Sequence, residues 1–297
     1  GAGANEVLTY SFANESLLRA AGQDPENAYH IRNSLSPDLQ YYRLSLIPSL
    51  MEKVHPNIKA GFNEFALYEI GKGHVKNELD KEKLPKEFDR VALVLASKDR
   101  QGSPFFAVKK VLDYLTSELG ITPISYRPLP PHPKLAGPTY YEPGRAAEVW
   151  ANDILIGRAG EFRPSAMSAL KLPAFCGGFE LHVGDLLKLS EPARYRPLNR
   201  FPQIDQDICL RTVRRLTYGE LCGFVEKFLH KAAARHGFNF QLKPLDIFEK
   251  SGDDKHKQTT WRISLSHPEK TLTNREAGRI LDELAEDARQ MFNAERI

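Results

Sequence analysis

Asp207-Ile208-Cys209-Leu210-Arg211-Thr212-Val213 alternates in polarity, the pattern of a strand with one buried face. From Thr217 to about Arg235 the period changes. Leu221, Phe224, Val225, Phe228 and Ala232 recur at three- and four-residue steps, which predicts an amphipathic helix. Phe238 to Phe248 and Thr259 to Ser266 return to strand character. A second helix opens at Thr273, with Glu276 completing a capping box and Ala277, Ile280, Leu281, Leu284, Ala288 and Met291 along one side. The order is β-α-β-β-α-β, which folds as a ferredoxin-like antiparallel sheet with both helices on one face. The other face is left open, and that is where such a domain binds.

Parity decides what points onto the open face. Trp261, Ile263 and Leu265 should meet the helices, so Thr260, Arg262 and Ser264 face outward. The preceding strand changes phase, with Phe240 and Leu242 inward and then Leu245 and Ile247 inward. Lys243-Pro244 must absorb the slip as a bulge. Asp246 and Phe248 are thereby placed beside Thr260 and Arg262. An exposed ring flanked by an acceptor, a hydroxyl and a guanidinium suits an unpaired nucleobase; a ring covered by a neighbouring domain is the other reading.

These residues resemble a known family. Phe201-Pro202 with Asp207-Ile208, Leu245-Asp246-Ile247-Phe248, and Lys270-Thr271-Leu272-Thr273 are similar to the anticodon-binding domain that ends the β subunit of bacterial phenylalanine–tRNA ligase. The resemblance implies that Phe248, Asp246 and Thr260 contact anticodon bases. Leu245 stands where the family usually has Phe, Phe248 where it has Tyr, Thr259-Thr260 where it has Lys-Ser, and Gln206 where it has Arg. Upstream, Asn33-Ser34-Leu35-Ser36-Pro37, Tyr42 to Leu50, Leu67 to Gly71, Glu142 to Ala147 and Gly157 to Pro164 resemble the catalytic-like module of the same subunit, so the likeness runs over residues 5–297.

The whole chain thus reads as α+β. Residues 1–4 are an added tag or the start of a fragment. Residues 5–189 form a class II synthetase-like antiparallel sheet domain, 190–202 a linker and 203–297 the ferredoxin-like domain. In the first domain, Leu46 to Ile58 is a helix with Leu46, Ile47, Leu50 and Val54 as its apolar stripe. Glu64 to Ile70, Asp89 to Ala96 and Phe179 to Val183 are strands, and Gly71-Lys72-Gly73-His74 is a turn. Pro104 starts another helix, and a turn at Asn152-Asp153 closes a hairpin. Pro128 to Pro138 is a surface connection.

A long helix followed by a strand resembles the class II dimerisation motif. It implies an interface with a catalytic α subunit along Arg43, Leu46, Leu50 and Asn57, although such a stripe is also what plain core looks like. Class II chemistry needs two arginines that grip ATP, and neither is found. Phe162-Arg163-Pro164 lacks the acid that should follow, and Gly157 and Gly160 lack a matching Arg. Without those cations the reaction has no electrostatic clamp, so no catalytic residue is assigned. The nine histidines form no metal-ligand spacing, and Glu148, Glu161 and Glu180 read as ordinary strand-end acids.

From residue 196 onward, 18 Lys and Arg face 15 Asp and Glu, so this part carries the chain's entire net charge of +3. Arg211, Arg214 and Arg215, with Lys250, Lys255, Lys257 and Arg262, cluster around the open face, where cations attract phosphates. Cys176, Cys209 and Cys222 are too few for a ferredoxin-type cluster and show no paired spacing, which indicates a reducing, cytoplasmic compartment. No apolar run is long enough for a membrane helix.

The function expected is that of a non-catalytic β-subunit portion that scaffolds the α subunit, within an implied α2β2 assembly, and binds the anticodon region of tRNA(Phe). The fragment itself is expected to bind no cofactor or metal; ATP and Mg2+ are implied only for the complete ligase. The alternative is a stand-alone or regulatory RNA-binding protein built on a degenerate synthetase-like domain.

Overall fold

The computed structural model describes residues 2–129, 140–190, 200–250 and 252–297. The chain divides into two compact units, residues 1–194 and 195–297. Most of the expected linker and of the Pro-rich connection after Pro128 lies outside the described residues.

The first unit runs β1 (Asn5–Glu6), β2 (Phe12–Ala13), α1 (Glu15–Ala20), β3 (Tyr41–Tyr42), α2 (Ile47–Lys59), β4 (Glu64–Leu79), β5 (Pro85–Ser97), α3 (Phe105–Glu118), β6 (Ile124–Pro128), β7 (Tyr141–Ala151), β8 (Ile154–Phe162), α4 (Pro164–Ala169), β9 (Phe175–His182) and α5 (Val183–Leu189). Its main sheet has the order β1-β4-β5-β9-β8-β7-β6 and is antiparallel except for the β1–β4 pair. Both faces are covered. Leu46, Ile47, Leu50, Met51 and Val54 pack on Ala92, Val94, Ala96 and Cys176, while Val108 and Leu112 of α3 pack with Leu93, Leu95, Phe179 and Leu181. This two-sided burial explains the unbroken apolar run of β5. Asn152 and Asp153 take φ of 46° and 62°, the pair of left-handed residues that a tight hairpin turn requires.

One expectation fails here. Gly71-Lys72-Gly73-His74 is not a turn, because β4 continues through it to Leu79. The glycines serve close approach. A Cβ on Gly71 would lie 2.5 Å from the Arg43 guanidinium, and one on Gly73 would lie 2.7 Å from the Leu44 carbonyl oxygen. The segment entering α2 therefore lies directly on the strand.

The second unit runs β10 (Ile204–Val213), α6 (Tyr218–His236), β11 (Asn239–Phe248), β12 (His256–Ser266), α7 (Asn274–Phe292) and β13 (Glu295–Arg296), with sheet order β11-β12-β10-β13 and every pair antiparallel. Thr217 and Thr273 both close capping boxes, with Glu220 and Glu276, and Gly237 and Asn293 end the helices in left-handed conformation. The core holds Ile208, Leu210, Leu221, Val225, Trp261, Ile263, Leu265, Ile280, Leu281 and Leu284. Met291 does not join it. It lies in the last turn of α7 and is exposed. Among the described residues, no helix is long and apolar enough to cross a membrane.

Candidate nucleic-acid interface

Strand register lays out the open face of the second unit. Residues paired across antiparallel strands point to the same side. Arg211 pairs with Gln258, which pairs with Phe248; Glu295 of β13 pairs with Arg211 from the other side. The four therefore form one row across the sheet. The next row is Cys209, Thr260 and Asp246, and the one after it is Asp207, Arg262 and Lys243. The register slips between Pro244 and Asp246, which makes Leu245 the extra residue of a bulge and turns Asp246 and Phe248 outward.

Phe248 is 50% exposed. Leu245 and Ile247, expected inside, are exposed as well. They sit on an edge strand, where Phe240 and Leu242 pack on the core and the two later residues do not. A cavity of about 350 Å³ opens beside the ring, lined by Arg211, Phe248, Lys250, His256, Lys257 and Gln258. That is within the range of about 300–1,000 Å³ common for ligand sites.

The cations of this face are less free than the sequence suggests. Arg262 grips Asp207 with two hydrogen bonds of 2.8 and 2.9 Å, and its guanidinium holds the Asp207 carboxyl below the usual range. Arg211 pairs with Asp253 at 3.0 Å and with Glu295 at 3.3 Å. Arg214 pairs with Glu249 and Asp254. Among the described residues, Lys250, Lys255 and Lys257 form no ion pair, so they are the cations readiest to meet a phosphate. Gln258 and His256 went unnoticed in the sequence, although Gln258 shares the parity of Thr260 two positions later.

In the first unit the structure corrects the expected subunit interface. Leu46 and Leu50 are fully buried, and Arg43 is 2% exposed. The two leucines fill the unit's own core. The Arg43 guanidinium donates to Glu69 at 2.9 Å, to Thr9 at 2.7 Å and to the Lys72 carbonyl at 2.9 Å. None of the three is available to another chain. Asn57 is half-buried and donates to the Lys53 carbonyl. Arg163 donates through Nε to the Tyr141 carbonyl, which ties its guanidinium to the backbone. Glu161 accepts from Ser103 and pairs with Arg145. Glu180 is no ordinary strand-end acid: it accepts the Leu46 N–H at 2.7 Å in front of α2, and burial pushes its carboxyl up. Among the described residues, no three His, Cys, Asp or Glu side chains converge as metal ligands would.

The sequence profile of the phenylalanyl tRNA synthetase beta chain CLM domain matches residues 1–183, well over half of the chain. The chain belongs to this beta-chain family. The phenylalanine–tRNA ligase beta subunit of Bacillus licheniformis is 26% identical over 302 residues, which cover 99% of this chain and 36% of that protein. The corresponding subunit of Bifidobacterium longum is 26% identical over 318 residues, 96% of this chain and 36% of that protein. That of Carboxydothermus hydrogenoformans is 29% identical over 289 residues, 92% of this chain and 34% of that protein. The chain thus spans about a third of the length of the curated relatives it matches, and those relatives are subunits of an aminoacyl-tRNA synthetase.

Proposed function

We propose that this chain is a non-catalytic portion of a phenylalanine–tRNA ligase β subunit that supports a catalytic α subunit and holds the anticodon region of tRNA(Phe). The observation that carries the RNA reading is the half-exposed Phe248 ring, in one row with Gln258 and Arg211 and next to the Asp246–Thr260 pair. The ring stacks on an unpaired base, Asp246 accepts from a base edge and Thr260 adds a hydroxyl contact. Lys250, Lys255 and Lys257 meet phosphates, and Arg211, Arg214 and Arg262 do so by exchanging their carboxylate partners. Phenylalanine activation with ATP and Mg2+ is assigned to the α subunit.

The test is binding of anticodon stem-loops to the full chain across a salt series. Phe248→Ala is expected to weaken binding by about 1–3 kcal/mol, the value of one stacked base, while the fold persists because the ring is not in the core. Asp246→Ala is expected to erode discrimination between anticodons more than total affinity. Lys255→Ala is expected to weaken all RNAs alike and to lower the salt slope by roughly one. Wild-type binding by folded Phe248→Ala would refute the open-face reading.

The chain alone is expected to show no phenylalanine-dependent pyrophosphate exchange. Arg163 is engaged with the backbone, and the partner motif is missing. Robust exchange by the purified chain would overturn the assignment of catalysis to another subunit.

A further inference from the structure

One amide on the open face of the second unit is used by none of the roles above. Gln258 stands on β12, inside the sheet, with Phe248 directly across on β11 and Arg211 directly across on β10. Residues opposed in this way hold their Cβ atoms about 4.5–5.5 Å apart. Ring, amide and guanidinium are therefore successive neighbours, and all three line the cavity of about 350 Å³.

The neighbours of this amide are already committed. Arg211 is held by Asp253 and Glu295. His256 turns its Nδ1 to Asp253 at 3.1 Å and to Arg211 at 3.2 Å. Asp253 also accepts the backbone N–H groups of Lys255 and His256. Gln258 differs. It is half-buried, its side chain makes no hydrogen bond among the described residues, and its amide is not one of the polar atoms sealed from water. Its backbone is fixed by strands on both sides, so the free amide is presented from a rigid support.

The chemistry of the amide selects the base. A carboxamide offers a donor beside an acceptor. The other groups of the face do not: Lys250 and Lys257 only donate, an ionised Asp246 only accepts, and Thr260 has a single hydroxyl. Unpaired bases are read on their Watson–Crick and Hoogsteen edges. Adenine shows a donor beside an acceptor on both, because its N6 amino group lies between N1 and N7. Guanine and the pyrimidines show that pair on the Watson–Crick edge alone, and the Hoogsteen edge of guanine carries two acceptors. An amide fixed beside a stacking ring therefore engages adenine whichever edge is turned to it.

We propose that Gln258 is a specificity-determining residue of this face, its amide reading the N6 amino group and the neighbouring ring nitrogen of an unpaired adenine seated beside Phe248. Gln258 Oε1 accepts from N6, and Nε2 donates to the ring nitrogen. The inference rests on the reading of the open face as an RNA surface and adds to it the identity of one base.

The experiment is binding of the full chain to anticodon stem-loops of tRNA(Phe) in which each loop adenine in turn is replaced by purine, which lacks the N6 amino group. One position is expected to lose about fivefold or more in affinity, the lower end for a bidentate base contact. Gln258→Met, similar in shape but without the amide, should bind the unmodified loop more weakly by a similar factor and be indifferent to purine at that position. Gln258→Glu should prefer guanine there, since a carboxylate only accepts and the Watson–Crick edge of guanine carries two adjacent donors. Both variants should fold, because Gln258 is outside the core. The proposal is overturned, with the RNA reading intact, if Phe248→Ala weakens binding but folded Gln258→Met is as sensitive to purine as the wild type. It is likewise overturned if no adenine position matters to the wild type. Absence of RNA binding by the wild-type chain overturns both readings together.

Discussion

Glu69→Gln is expected to cost the first unit about 3–5 kcal/mol, the penalty for breaking a buried ion pair on one side. Glu69 and Arg43 are 2% and 3% exposed at their side chains. The Glu69 carboxylate also accepts from Thr9 at 2.6 Å, and Arg43 donates to the same Thr9 hydroxyl. An amide in place of the carboxylate leaves the guanidinium without a counter-charge in a site closed to water. Stability of a domain is only about 5–15 kcal/mol in total, so at least about a fifth of it is at stake. The damage should reach α2, because Arg43 fastens the segment that leads into the helix. The double variant Arg43→Met/Glu69→Leu should recover most of the loss, since an apolar pair has no charge to desolvate. Urea unfolding followed by Trp150, one of two tryptophans in the chain, reports on this unit. A loss below about 1 kcal/mol in Glu69→Gln would mean that water reaches the pair.

The same pair shows why the sequence was readable in one unit and misleading in the other. In the second unit, strand alternation, helical periodicity and two capping boxes all act within a few residues. Most of these local signals agree with the final fold, the exceptions being Leu245 and Ile247 on the edge strand and Met291 in the last helical turn. Even the bulge was legible, because the apolar phase changes around Lys243-Pro244. The first unit depends on contacts between distant segments. The stripe of Leu46, Leu50 and Val54 identifies a buried helix face, but a stripe cannot say whether its cover is the same chain or another. The glycines of Gly71-Lys72-Gly73 suggest a turn until the Arg43–Leu44 segment is seen lying against them. On the open face of the sheet, Phe248 and Asp246 follow from parity. The pairing of Arg262 with Asp207, 55 residues away, depends on register between strands that the local pattern does not specify.

Trp261→Ala is expected to cost the second unit about 3–5 kcal/mol, the usual range for truncating a buried aromatic residue. Trp261 is fully buried, and Tyr218 stacks on it with ring centroids 6.1 Å apart. It also sits at the decisive point of the sheet, paired with Ile208 of β10 on one side and with Pro244 of β11 on the other. Pro244 adjoins the bulge that turns Asp246 and Phe248 toward solvent. A cavity at Trp261 therefore removes core packing and loosens the register on which the open face depends. The expected result is a lower urea midpoint by circular dichroism, with the Trp150 signal of the first unit unchanged, and RNA binding reduced even where the unit remains folded. Trp261→Phe should keep most of both, because the ring still fills the space between Ile208 and the helices. Comparison with Phe248→Ala separates fold from recognition. Phe248→Ala should lose affinity at constant stability, whereas Trp261→Ala should lose stability first and affinity as its consequence. If Trp261→Ala kept full RNA affinity while losing the expected stability, recognition would not depend on the bulged register, and the contacts would have to lie away from β11.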